Sequence, residues 1–164
     1  MTLKWFAGLS LTAALAALVV AGCGGGGGGS RLSKADFISQ ADAICQKAHE
    51  DENKVSFPNV NPSTASQDDL KKFGDAIKQA TAIDRKEVDD LKALKPPEDF
   101  QDNYDEALQE LSDGLDHADN AVDEANKGDT AGLTRELNAV QSKATEANKK
   151  AAAYGLKVCG ANNQ

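Results

Sequence analysis

Aromatic side chains are scarce in this chain. One Trp, two Tyr and five Phe make up 5% of its 164 residues, and Trp5, Phe6 and the single methionine, Met1, all fall within the first 22 positions. So few rings leave no base-stacking platform and no aromatic cage for a quaternary ammonium. Positive charge is also short. Eighteen Lys and Arg stand against 26 Asp and Glu, a formal net charge of -8, and a surface of that sign is repelled by DNA, RNA and anionic lipid heads. No segment shows the period-2, β-branched alternation of a strand.

Signatures of known chemistry are missing as well. Di-iron bundles use Glu-x-x-His, but Gln46 stands three residues before His49 and Gly114 three before His117. Cys-x-x-Cys-His for haem, Gly-x-Ser-x-Gly, and a Ser-x-x-Lys suited to acyl transfer are absent. The glycine run 24–29 lacks the strand and helix that frame a nucleotide loop. The expectation is a protein that is not an enzyme and carries no cofactor.

What is present begins with an export signal over residues 1–22. Lys4 supplies the positive n-region, Trp5 to Ala21 is uncharged, and small Ala21 and Gly22 precede the cut. Val20-Ala21-Gly22-Cys23 resembles the lipobox of bacterial lipoproteins. That resemblance implies that Cys23 becomes the mature N-terminus and carries a diacylglyceryl thioether, two acyl chains being enough for stable anchoring. Residues 23–32 then read as a lipidated Cys and a Gly/Ser tether. Nine flexible residues give a root-mean-square span of about 16 Å, so the domain rides close to the membrane.

Two cysteines remain, Cys45 and Cys159. In an exported chain they allow one pairing, and a bridge of that span is worth up to about 4.7 kcal/mol in the chain-entropy account. The rival reading sets Cys45 beside His49, one helical turn away, as reactive chemistry.

Residues 33–164 read as four helices. The first spans 34–54 behind an N-cap at Ser33, with Phe37, Ala41, Ile44 or Cys45, and Ala48 as its stripe. The second starts after Ser66 and runs to Lys95, ended by Pro96-Pro97. Its heptad breaks at Asp84 and Glu87. The third, 98–127, keeps Tyr104, Leu108, Leu111, Leu115, Ala118, Val122 and Ala125 in alternating steps of four and three. The fourth runs from Asp129 or Thr130 to Tyr154, closed by Gly155 with Leu156 beyond it. Short connections predict an all-α, antiparallel up-down-up-down four-helix bundle. The bridge then requires the tail after Gly155 to fold back along the first helix.

Three features bear on function. Asp113, Asp116, His117, Asn120 and Glu124 crowd one side of the third helix, where Asp113/His117 and Asn120/Glu124 are i,i+4 pairs. They are read as a solvated acidic face, with cation binding by Asp113, His117, Asn120 and Glu124 as the alternative. Asp84 falls in a seam, and is read as a local rotation where Ile83 and Val88 take over packing, or as the ligand of a cation or amine inside the bundle. Ala144, Ala147 and Ala151, facing Ala41 and Ala48, are expected to let two helices approach closely. The alternative is that they line a cavity.

The order of the lipobox, the tether, Ala-Asp-Ala-Ile-Cys (41–45), Leu-x-x-Leu-x-Pro-Pro (91–97) and Gly-Leu-x-x-Cys-Gly (155–160) resembles small helical lipoproteins of actinobacteria. The resemblance implies location and fold and lends no catalytic residues. The leading reading is a membrane-anchored extracytoplasmic lipoprotein, held through lipid on Cys23, whose non-catalytic bundle presents a face to another envelope protein. The alternatives are a binding protein for a cation or small ligand and, further off, a cell-envelope enzyme.

Overall fold

The computed structural model describes residues 30–61 and 64–161. The leader, Cys23 and the glycine run lie outside the described residues. Four helices follow in order: α1 (Lys34–Glu52), α2 (Gln67–Lys92), α3 (Gln101–Lys127) and α4 (Thr130–Tyr154), with a 3-10 turn at Glu98–Phe100 leading into α3. No strand occurs among the described residues, and no helix there is long and apolar enough to cross a membrane.

The helix ends follow from their residues. Ser33 and Ser66 each accept a hydrogen bond from the backbone N–H three residues on, and at Ser66 the cap's own N–H donates to the Asp69 carboxylate. Asp129 accepts from Ala131 and Gly132 N–H at the start of α4. Gly155 ends α4 at φ 110°, in the left-handed region where a side chain would clash. α2 stops at Lys92, one turn short of the prolines: Pro96 bars Lys95 from the helical region, and in a continued helix its ring would meet the Lys92 carbonyl.

α2 packs on α3, α3 on α4, and α1 on α2. Neighbours run antiparallel. Leu32 N–H donates to Lys95 O at 2.9 Å, which ties the start of α1 to the end of α2. At the same end Phe37 meets the Tyr104 ring edge-on at 5.0 Å, and Phe100 stacks on Tyr154 at 3.8 Å. We call this end the base.

The helices differ in length, and this shapes the interior. α1 has 19 residues and α2 has 26, or about 28 and 39 Å at 1.5 Å per residue. α1 therefore stops part-way up its neighbour. The core divides accordingly. A basal cluster joins Phe37, Ala41, Cys45, Leu91, Phe100, Tyr104, Leu108 and Leu156, and an upper cluster joins Leu70, Ile77, Ala118, Ala121, Ala125 and Leu133. The upper cluster draws on α2, α3 and α4, with Val60 and Ala65 of the loop after α1 packed against it.

The tail turns back along α1 and is joined to it by the Cys45–Cys159 disulfide, which spans 114 residues with Cα atoms 5.4 Å apart. The Asp42 carboxylate accepts from Lys157 N–H (3.0 Å), Val158 N–H (2.9 Å) and Cys159 N–H (3.2 Å). Gly160 is needed where the tail crosses α4: a Cβ there would stand 2.6 Å from Leu156 O and 2.7 Å from Ala152 Cα.

Candidate functional site: a cavity with an acidic end

A cavity of about 350 Å³ occupies the middle of the bundle. Its walls come from all four helices and the tail. Leu91, Leu108, Leu111 and Leu115 supply apolar surface from α2 and α3, and Leu156 and Cys159 close it from the tail. Ala144, Ala147 and Ala151 line it from α4. This corrects the expectation of a close α1–α4 approach. The two helices do not pack closely among the described residues, because the tail bridges between them and the small side chains leave space behind it.

One end of the cavity is acidic. His49 and Glu52 enter from the last turn of α1, and Asp84 and Glu87 from α2. Asp84 is not simply a point where the helix face rotates: its side chain lines the cavity, and its Oδ1 is buried without a hydrogen-bond partner. Burial disfavours the charged form of a carboxylate. Burial first, then a hydrogen bond with the Glu52 carboxyl and the charges of Glu52 and Glu87, push Asp84 far above the usual carboxylate range. Burial, and then the charge of Glu52, push Glu87 up to about 7. Asp84 thus keeps its proton at neutral pH. His49, Glu52 and Glu87 are half-buried, so this end of the cavity is within reach of solvent.

Tyr104 lines the opposite end. Its hydroxyl donates to Leu91 O at 2.7 Å, and burial raises its pKa. That bond fixes the ring between α2 and α3 and satisfies a carbonyl near the end of α2.

The acidic side of α3 does not form one site. His117 Nδ1 lies 2.8 Å from Glu136 of α4, and Asp113 pairs with Lys143 at 3.1 Å. Hydrogen bonds from Gln109 and then Lys143 hold the Asp113 carboxyl below its ordinary range. Glu124 pairs with Lys127 at 2.9 Å, while Asp116 and Asn120 are exposed. These side chains act as interhelical and intrahelical ties. Among the described residues, no three of His, Cys, Asp and Glu converge as a metal's ligands would.

Glu52 is the cavity residue that the sequence reading missed. Its signal was there: Phe37, Ala41, Cys45, Ala48 and Glu52 keep steps of four, four, three and four, so Glu52 continues the apolar stripe at the seam of α1. With Asp84 in the seam of α2, two acids interrupt facing seams at the same height.

No protein-family model matches this chain, and neither a curated protein nor a solved structure does.

Proposed function

We propose that the chain is an extracytoplasmic lipoprotein, anchored through lipid on Cys23, whose bundle is a receptacle for a small organic ligand. The observation that carries this reading is the cavity. Well-packed four-helix cores leave few voids larger than a water molecule. A space of about 350 Å³, walled mainly by apolar side chains with a few polar groups gathered at one end, falls in the size range of small-molecule sites.

Native mass spectrometry of the full chain, exported by its own host and purified gently, tests the reading. Non-covalent mass that leaves on denaturation is the expected result. Lipid on Cys23 would stay with the polypeptide, so the two sources of extra mass are separable. A chain carrying covalent mass alone would count against a ligand and return the bundle to a protein-facing role.

A further inference from the structure

We infer that the cavity takes an organic monocation: an apolar body carrying a protonated amine, with the ammonium at the acidic end of the cavity, against Asp84. The inference rests on the receptacle reading and adds the chemical class of the ligand.

Three observations converge on it. The first is charge. Of the residues lining the cavity, Glu52, Asp84 and Glu87 are acids and none is Lys or Arg. His49 is the one lining side chain at this end able to carry positive charge, and a buried carboxyl with too little positive charge near it tends to take up a proton. The second is the orphaned atom. Asp84 Oδ1 is buried with no hydrogen-bond partner, an acceptor that a ligand N–H would satisfy. A purely apolar occupant would leave it unpaired. The third is the remainder of the wall. Leu91, Leu108, Leu111, Leu115 and Leu156 offer nothing to a hydrated inorganic ion, but would favourably bury an alkyl or ring body. A divalent metal is disfavoured by geometry too, since no three ligating groups converge among the described residues.

The surroundings of Asp84 define the proton balance. α1 turns His49 and Glu52 toward the cavity, and α2 adds Glu87. α3 contributes the phenol of Tyr104, which is committed to Leu91 O. α4 brings only uncharged side chains, Gln141, Thr145 and Asn148 among its polar ones. Before an amine enters, Asp84 holds its proton and Glu87 titrates near pH 7. An entering ammonium supplies the positive charge instead, and a proton leaves to solvent. Amine binding therefore tightens as pH rises from 6 to 8.5, a range over which an alkylamine stays protonated.

The experiment compares octylamine, octanol and octanoate by calorimetry on the full chain in lipid nanodiscs, with empty nanodiscs as the blank. Octylamine is expected to bind about tenfold or more tighter than octanol, the scale of one pKa unit of differential charge interaction, with octanoate weakest. Its affinity should rise with pH while that of octanol stays level. Asp84→Asn should remove the amine preference and leave octanol binding in place, and Glu87→Gln, a milder change at the half-buried rim, should reduce it. Equal binding of the three probes would overturn the cation assignment and leave the receptacle standing. Binding of none would overturn both.

Discussion

Asp84 keeps its proton through neutrality, and Glu87 loses its own near pH 7, because both stand where water is thin and Glu52 is close. The consequence for stability has a definite sign. Unfolded Asp and Glu titrate near pH 4, so between about pH 4 and these raised values the folded chain binds more protons than the unfolded chain. Stability falls with pH wherever that holds. For these two groups the contribution is complete below about pH 4, and is lost as pH rises through about 7 for Glu87 and higher for Asp84. The urea midpoint of the ligand-free chain should decline between pH 6 and 9, and Asp84→Asn should flatten that decline. A midpoint that rises over this range would show that the acids are ionised in the folded state. At this scale the sequence was half legible. Asp84 stood out as an acid in an apolar seam, but Glu52 was hidden at a helix end, where an acid passes for an ordinary surface residue. Nothing in one helix's periodicity says that a second helix places its own acid at the same height.

Among the elements, the tail after Gly155 does the most with the fewest residues. It leaves α4 through a left-handed glycine, crosses α4 at Gly160, and presents three successive N–H groups to a single carboxylate, Asp42. The arrangement acts as a cap across two elements: α1 lends an acceptor to a segment too short to satisfy itself. Asp42→Ala should keep α1 helical, since Ala is a good helix former. It should cost about 1–3 kcal/mol through the donors left without a charged acceptor. Hydrogen exchange checks this: the amides of Lys157, Val158 and Cys159 should become fast while those of α3 stay protected. Unchanged protection would mean that the disulfide alone holds the tail. The helices themselves were well marked in the sequence, because caps and breakers act locally: Ser33, Ser66, Asp129 and Gly155 occupy their expected positions. The stripe of α4 was less faithful. Leu133 and Ala147 are buried, but Leu137, Val140, Ala144 and Ala151 are only half-buried. Alternating steps of three and four report which side of a helix faces inward. They do not report whether that side meets another helix or an open space, so the cavity could not be read from them.

At the scale of the whole molecule, one bridge spans 114 residues and joins the shortest helix to the far end of the chain. α1 has its most extensive backbone packing with α2 and meets α3 and α4 through the Phe37 ring, and the disulfide and the Asp42 bonds add to what keeps it over the cavity. Cross-linking a loop of this length is worth about 4.7 kcal/mol at most, a large share of the 5–15 kcal/mol typical of a folded domain. The anchor is a separate matter. If Cys23 carries the lipid, Cys23→Ala should move the chain from the membrane fraction to the soluble envelope or medium without altering its urea midpoint. A variant that stays on the membrane would refute lipid anchoring at that residue.

The bridge also changes what it means to cut the chain. The connection after α1 is long, and Phe57 within it is 48% exposed, the kind of site that proteases favour. Cleavage between residues 53 and 61 would sever the backbone, yet the segment bearing α1 would remain covalently attached to everything after the cut through Cys45 and Cys159. Were the proposed lipid anchor at Cys23 in place, a chain nicked there would still not shed its bundle. Detachment through that loop would require two events of different chemistry, a hydrolysis and a reduction.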